Sequence, residues 1–252
     1  IGKVLDRDTP QTRQSPGNSL HPLSMNSNYK AEFNARENLI ESLIKDGYLR
    51  SPEIIEAFKN IDRADFILDE HKEEAYINAP LSIGFGQTIS QPLVVAFMME
   101  LLEPKPEEKI LDVGCGSGWT SAILSYIALK GLNLESSEKI SPKIIAIERI
   151  SELKEMAEKN IKKYNFIEKG IVKVILGDGA KGYSKESPFD KIIAGAAARE
   201  EIPDTWKKQL KIGGRIVSPV DQSIVVIDKT GEGEYIKKEY FGFSFVPLIE
   251  GS

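Results

Sequence analysis

Three glycines at alternate positions stand between a short apolar run and a helical pattern. They are Gly114, Gly116 and Gly118, and the run before them is Ile110–Val113. Because glycine has no Cβ, such a turn can bend sharply and let backbone N–H groups approach a ligand. The alternative is a tight strand-to-helix connection that binds nothing. The pattern predicts a ligand-binding turn, which other residues must support.

An acidic residue, Glu148, ends the next apolar run, residues 143–148. In a parallel sheet this position lies at the carboxyl edge beside the glycine turn, where a carboxylate accepts hydrogen bonds from the ribose hydroxyls of a nucleoside. The interval from Asp112 to Glu148 exceeds the roughly 20 residues of a dinucleotide fingerprint. We interpret the polar stretch at residues 131–142 as a loop insertion that accounts for the excess.

The glycine spacing and the acid before it indicate which nucleoside is bound. A dinucleotide site uses G-x-G-x-x-G to seat its pyrophosphate on a helix N-terminus. This chain has G-x-G-x-G, and Asp112 precedes the first glycine by two residues. A carboxylate there would repel a pyrophosphate and favour a sulfonium or ammonium group. We therefore predict S-adenosylmethionine as the cofactor.

The composition excludes several other kinds of chemistry. Among 252 residues there are one cysteine, Cys115, and two histidines, His21 and His71, which excludes an intrachain disulfide and any multi-thiolate or multi-histidine metal site. The 33 basic and 38 acidic side chains give a net charge of −5, which disfavours a nucleic-acid partner. No run approaches the ~20 apolar residues of a membrane-spanning helix, and no secretory signal is recognisable. We expect a cytoplasmic protein.

Short β-branched runs alternate with helical patterns after residue 105. The predicted strands are residues 109–113, 143–148, 171–176, 191–194 and 215–219, and the predicted helices are 117–129 and 152–164. This alternation is typical of an α/β fold with a doubly wound, Rossmann-like, mostly parallel sheet. Residues 224–228 and 235–246 flank a glycine-containing turn with no helix between them, which predicts an antiparallel edge hairpin.

The N-terminal part of the chain has a different character. Residues 1–24 lack a periodic apolar face, and we interpret them as a flexible arm before a native start at Met25, either an expression remnant or an upstream extension. Two amphipathic helices follow, and the second begins at Ser51-Pro52-Glu53 with Ser51 as its N-cap. They predict a packing layer or lid. We predict one domain over residues 25–252, with helices and an active-site loop in 25–104 and the cofactor-binding sheet and hairpin in 105–252.

Motifs outside the glycine turn resemble those of one enzyme family. Residues 80–92 read P-L-S-I-G-F-G-Q-T-I-S-Q-P, and G-D-G, P-F-D, G-G-R and F-V-P-L follow at residues 177–179, 188–190, 213–215 and 245–248. In this order they resemble the protein-L-isoaspartate (D-aspartate) O-methyltransferases, a class I S-adenosylmethionine-dependent family. The string G-Q-T-I-S-Q-P is the most specific of them. The resemblance runs from about residue 30 to the C-terminus and includes Ile61-Asp62-Arg63.

The resemblance implies a reaction and a set of site residues. The reaction is methyl transfer to the free carboxylate of L-isoaspartyl, and D-aspartyl, residues in damaged proteins or peptides, which begins their repair. Ser90 matches the active-site serine and contacts the substrate, and Val246 helps to seat the substrate peptide. The implied cofactor-binding residues are Gln87, Thr88 and Ile89 in a closing loop, Asp112 and Gly114 at the methionine side, Glu148 at the ribose, and Asp178 with Gly179 at the adenine.

Alternatives stay open for some of these residues and for the function. Thr88 is alternatively a cap for a helix that starts at Pro92, and Asp178-Gly179 is alternatively an ordinary turn. The chain is alternatively a class I methyltransferase for another acceptor, or a catalytically silent cofactor-binding module. We expect a monomer that binds neither nucleic acid nor a membrane.

Four departures from the family pattern lie on the expected peptide side. Gly195 begins the string G-A-A-A-R where many relatives have a threonine and then a proline. Ser244 replaces a common arginine, Leu93 replaces an aromatic residue or histidine, and Asp221 replaces a glycine. These changes concern peptide specificity more than cofactor binding.

Overall fold

A computed structural model describes residues 27–132 and 141–248. The predicted arm at residues 1–24 and most of the predicted insertion at 131–142 lie outside the described residues. The helices are α1 (Ser27–Lys45), α2 (Pro52–Asn60), α3 (Pro92–Leu102), α4 (Trp119–Leu129), α5 (Ser151–Lys162) and α6 (Asp204–Gln209). The strands are β1 (Leu81–Gly84), β2 (Gln87–Ile89), β3 (Ile110–Val113), β4 (Ile144–Glu148), β5 (Val172–Leu176), β6 (Phe189–Ala194), β7 (Leu210–Val220), β8 (Ser223–Gly231) and β9 (Glu234–Phe241).

A seven-stranded sheet in the order β5-β4-β3-β6-β7-β8-β9 forms the centre of the fold. Strands β3 to β7 are parallel, whereas β8 and β9 each pair antiparallel with the strand before them. The predicted mostly parallel α/β sheet with an antiparallel edge hairpin is confirmed. The chain builds β4 and β5 on one side of β3 and then returns to place β6 on the other. The strand order therefore reverses between β3 and β6, the position where open α/β sheets bind ligands.

Alternate residues of each strand enter two separate cores, as the period of a strand requires. In β3, Ile110 belongs to the core beneath helices α1 to α5, while Leu111 and Val113 belong to the core on the opposite face. That second core contains Trp206 of α6. Among the described helices, five cover one face of the sheet and one covers the other.

The predicted N-terminal helical layer packs on this sheet through α4. Phe58 of α2 meets Trp119 of α4 edge to face, with ring centroids 5.5 Å apart. Ser51 stands at the predicted N-cap position of α2, but its side chain makes no capping hydrogen bond. Its N–H and its hydroxyl both donate to the buried Glu100 of α3, at 2.8 Å each. A buried carboxylate without hydrogen-bond donors costs more free energy than an exposed helix N-terminus, whose N–H groups water can satisfy. The Ser51 hydroxyl therefore bonds to Glu100.

The edge hairpin is shorter than the sequence predicts. Strand β9 ends at Phe241, so the prediction of a strand reaching Val246 is wrong. Gly242 has a φ of +99°, and the N–H groups of Gly242 and Phe243 both donate to the carbonyl of Gln222 at 3.2 Å. These bonds turn the chain away from the sheet edge. The segment then returns toward the end of β6, where Pro247 forms a parallel bridge with Ala197.

Residues 81–89 form a β-hairpin, although the resemblance implies a closing loop at Gln87, Thr88 and Ile89. Strands β1 and β2 pair antiparallel in a small sheet of their own. Ile83 and Ile89 point into the core, and Gly84, Phe85 and Gly86 form the turn with positive φ angles. Because α3 begins at Pro92, the hairpin holds residue 90 at the junction between β2 and α3.

Within residues 27–132 and 141–248, none of the helices has the length and apolar character needed to cross a membrane. In the same part of the chain, no group of three or more His, Cys, Asp and Glu side chains is placed to hold a metal ion.

Candidate active site

A cleft of about 600 Å³ lies at the carboxyl edge of the sheet, where the strand order reverses. The turns after β3 and β4, the segment after β6, the β1–β2 hairpin and the returning C-terminal segment all contribute to its walls. Its volume is in the range of clefts that bind small organic ligands. The predicted site residues that line it are Gln87, Thr88, Gly114, Glu148, Gly179 and Val246.

The glycine turn forms the floor of this cleft. Gly114, Gly116 and Gly118 have φ angles of +71°, +54° and +94°, a conformation that side chains with a Cβ rarely adopt. A Cβ on Gly116 would lie 3.2 Å from Ile83, at the wall formed by the β1–β2 hairpin. The backbone conformation therefore favours glycine at all three positions, and the close approach of the hairpin adds to this at Gly116.

The carboxylate of Glu148 accepts hydrogen bonds from two turns, the one after β3 and the one after β4. Its Oε2 accepts the N–H of Gly116 at 2.9 Å, and its Oε1 accepts the N–H groups of Arg149 and Ile150 at 2.8 and 3.0 Å. The residue is only 5% exposed yet lines the cleft. Glu148 thus places a carboxylate in the wall of the cleft and also fixes the backbone of the two turns beside it.

Asp112 lies behind the glycine turn and does not line the cleft. It is 1% exposed, and its Oδ2 accepts the hydroxyl of Ser121 at 2.6 Å. Burial, with a smaller contribution from the charge on Glu148, raises the pKa of Asp112 from its ordinary 3.8 to about 7. Near neutral pH this carboxyl group is therefore partly protonated, and a cation in the cleft would favour its ionised form.

We expect the stability of the ligand-free protein to depend on pH through Asp112. Because the folded pKa exceeds the unfolded one, the carboxyl group favours the folded state below pH 4 and loses that contribution as the pH rises from about 4 to 7. Relative to wild type, Asp112→Asn should gain free energy of unfolding over this interval and change little above it. Urea unfolding of both proteins from pH 4 to 8 measures the difference, and a difference that falls with rising pH would contradict the assignment.

Two glycines allow the segments around the cleft to approach closely. A Cβ on Gly195 would lie 2.7 Å from the carbonyl oxygen of Gly114, and one on Gly179 would lie 2.5 Å from Val113. Asp178 does not line the cleft. Its Oδ1 accepts the N–H of Ala180 at 3.0 Å and so caps the short helical turn that contains Gly179.

A second cleft, of about 690 Å³, adjoins the first. The two clefts share Thr88, Gly195 and Val246, and Ser90 lines only the second. The carbonyl of Val246 accepts the N–H of Ala197 at 2.9 Å, which fixes the C-terminal segment between the clefts. The residues that line this second cleft are Pro80, Thr88, Ser90, Gln91, Val94, Gly195, Ser244, Phe245 and Val246.

Neither Thr88 nor Ser90 caps helix α3. The side chain of Asn78 does so, because its Oδ1 accepts the N–H of Leu93 at 3.0 Å. Among the described residues, the Ser90 hydroxyl has no hydrogen-bond partner. Ile89 is buried in the core and does not line the first cleft, so it can affect a ligand only through its neighbours.

Sequence reasoning missed several residues of the first cleft. Arg149 and Ile150 follow Glu148 directly, and their position beside the predicted acid could have indicated them. Ala196 lies two residues after the end of β6, beside Gly195. Pro247 and Leu248 enter the cleft only because the C-terminal segment returns to the end of β6, which no local pattern signals.

A ligand cleft at the switch point, with an acid at the end of β4 and glycines after β3, defines the class of nucleoside-binding Rossmann-like enzymes. Comparison with known proteins makes the assignment specific. The model of the protein-L-isoaspartate (D-aspartate) O-methyltransferase family matches residues 34–252, and this chain belongs to that family.

Individual relatives agree with the family match. A protein-L-isoaspartate O-methyltransferase of Methanopyrus kandleri is 40% identical over 219 residues, covering 85% of this chain and 91% of the relative. One of Aeropyrum pernix is 36% identical and covers 98% of this chain and 91% of the relative. A solved Plasmodium falciparum structure described under the same enzyme name, in complex with S-adenosyl-L-homocysteine, is 25% identical with a TM-score of 0.74, covering 86% of this chain and 99% of that chain.

Proposed function

We propose that this chain transfers a methyl group from S-adenosylmethionine to the free carboxylate of L-isoaspartyl residues, and of D-aspartyl residues, in damaged proteins and peptides. The observation that carries the proposal is the pair of adjoining clefts, one with the features of a nucleoside site and one lined by Ser90. The membership of residues 34–252 in the family supports the same reaction.

The residues of the first cleft fit S-adenosylmethionine, which when bound supplies a methyl group activated on a sulfonium sulfur. Glu148 would accept hydrogen bonds from the ribose hydroxyls, and Gly114, which has no side chain, would let the methionine part approach the backbone. Asp112 contributes negative charge from behind the turn. Gln87 and Thr88 close the wall of the hairpin, with Ile89 anchoring them in the core. Gly179, which lines the cleft, would lie against the adenine, and Asp178 holds the turn of Gly179 in place.

The acceptor needs no general base. The free α-carboxylate of an isoaspartyl residue has a pKa of ~3.5 and is ionised at neutral pH. The task of the protein is therefore to align the carboxylate oxygen with the methyl group and to exclude water. Ser90 donates a hydrogen bond from its hydroxyl to the acceptor carboxylate, and Val246 contacts the peptide backbone. The methyl ester carries methoxide, a better leaving group than the oxygen of a free carboxylate. The backbone amide nitrogen of the next residue attacks the ester carbonyl, methanol leaves with the amide proton, and water opens the resulting succinimide in part to normal aspartate.

Paired peptides test this function. One peptide carries isoaspartate and its partner carries aspartate at the same position, and each is incubated with isotopically labelled S-adenosylmethionine. We expect label in the isoaspartyl peptide and a background level in the aspartyl peptide. Equal labelling of both would favour a different acceptor, and label in neither despite measurable cofactor binding would favour a catalytically silent module.

The partners and the cellular location also belong to the proposal. A monomer acting on protein substrates, without nucleic acid or membrane, is supported by the net charge of −5. A cytoplasmic location is supported by the single cysteine, Cys115. Sedimentation of the purified protein across a range of concentrations tests the monomer.

A further inference from the structure

Arg63 is a buried cation without a carboxylate partner among the described residues. It begins a short helical turn after α2 and is 3% exposed. Its Nη1 donates to the carbonyl of Ala75 at 2.6 Å, and its Nη2 donates to the carbonyls of Ala79 and Ser90 at 2.9 and 3.3 Å. Burial lowers the pKa of Arg63 to about 10, so the group remains charged at neutral pH. One guanidinium therefore joins two chain segments by their carbonyl dipoles.

The same side chain contacts the helix that follows the cofactor turn. The guanidinium carbon lies 5.6 Å from the ring centroid of Trp119, within the range of a cation–π interaction. Trp119 is the first residue of α4 and directly follows Gly118 of the glycine turn. Arg63 thus contacts the backbone of Ser90, which lines the second cleft, and also the first residue of α4, which follows the glycine turn of the first cleft.

These contacts leave two buried polar atoms of the pair unsatisfied. Among the described residues, Arg63 Nε and Trp119 Nε1 are buried without a hydrogen-bond partner. A buried charge with an unpaired N–H costs free energy that an apolar side chain of similar size would not. Such groups call for a purpose other than packing.

The hydrogen bond from Arg63 to the Ser90 carbonyl restrains the position of the Ser90 backbone. The Ser90 hydroxyl has no partner in the described part of the chain, so the backbone alone sets where it points. We propose that Arg63 is a positioning residue for methyl transfer, which holds the Ser90 backbone at a fixed place relative to the cofactor turn. This inference rests on the proposed function. Lysine cannot replace the forked guanidinium, because one ammonium cannot reach three carbonyls in the same geometry.

Turnover of Arg63→Lys on an isoaspartyl peptide tests the proposal, with Arg63→Gln as a second variant. A displacement of about 1 Å in an active site can cost on the order of 100-fold in rate, and we expect kcat to fall at least about tenfold in each variant. The KM for the peptide and the Kd for the cofactor should stay within about threefold of wild type, since no contact to either is removed.

Lys229→Met is the matched control for lost stability. Lys229 is also a buried cation that donates to backbone carbonyls, those of Lys207 and Leu210. Its Nζ also lies 3.6 Å from a carboxylate oxygen of the exposed Glu232, and the residue lies in β8 and lines neither cleft. At a temperature below the Tm of every variant, Lys229→Met should keep the kcat of wild type.

A double variant tests whether Arg63 acts through Ser90. In the Ser90→Ala background, Arg63→Lys should lower kcat by less than about twofold, because the effects of residues that act as a unit are not additive.

Several results would overturn the positioning role. They are a wild-type kcat in folded Arg63→Lys, an equal loss in Lys229→Met at equal loss of Tm, and a full additional loss in the Ser90→Ala background. Failure of both Arg63 variants to fold would assign the residue to the fold itself. If the wild-type chain fails to methylate the isoaspartyl peptide, the proposed function fails instead, so the two failures are distinguishable.

Discussion

In Glu148→Ala, the affinity for S-adenosylmethionine is expected to fall at least about tenfold. In the proposed cofactor complex the carboxylate accepts hydrogen bonds from the ribose hydroxyls, and each charge-assisted hydrogen bond is worth roughly 1.5–3 kcal/mol. The same substitution removes the acceptor for the N–H groups of Gly116, Arg149 and Ile150, which shape the cleft. A lower Tm should therefore accompany the weaker binding. Calorimetric titration of the folded variant measures the affinity.

Glu152→Ala is the control for the lost charge. Glu152 lies in the first turn of α5, four residues further on, and it is exposed. Its removal changes the net charge by the same amount, and we expect the affinity and the Tm of wild type. Unchanged affinity in a folded Glu148→Ala protein would remove Glu148 from the cofactor site.

Ser90→Ala is expected to lower turnover on an isoaspartyl peptide at least about tenfold, the equivalent of ~1.4 kcal/mol in the barrier. The hydroxyl lines the second cleft, and a donor held there can orient the acceptor carboxylate. Cofactor affinity should stay within a few-fold of wild type, because Ser90 does not line the first cleft. The Tm should barely change, since the Ser90 hydroxyl makes no hydrogen bond among the described residues.

A serine on the same hairpin provides the matched control for Ser90. Ser82 lies in β1, is exposed, and accepts the N–H of Gly84 at 3.3 Å. Ser82→Ala should leave turnover unchanged. Full activity in Ser90→Ala, or an equal loss in Ser82→Ala, would take Ser90 out of the acceptor site.

The parts of the fold that the sequence could predict are those fixed by local patterns. The apolar strands β3 and β4 are short and continuous, and a glycine turn or an acid marks their carboxyl ends. Because parallel strands end at one edge of the sheet, the sequence alone predicts that Gly114 and Glu148 lie side by side. The resemblance supplied Ser90, which no local physical signal indicates.

The features that the sequence could not predict depend on distant partners. The return of Val246 to the cleft requires the carbonyl of Gln222, which turns the chain at Gly242. The side chain of Ser51 is drawn away from α2 by Glu100, 49 residues away in the sequence. The burial of Arg63 follows from three carbonyls that come together only in the folded chain, and charged side chains are otherwise expected at the surface.

The position of the transferred methyl group tests the proposed function most directly. An isoaspartyl peptide is incubated with the protein and S-adenosylmethionine at mildly acidic pH, and the product is fragmented in a mass spectrometer. We predict a single added methyl group on the α-carboxyl of the isoaspartyl residue, with loss of methanol and a succinimide when the product is brought to neutral pH. A methyl group on a nitrogen, on another carboxyl group, or equally on the aspartyl control peptide would contradict the proposal.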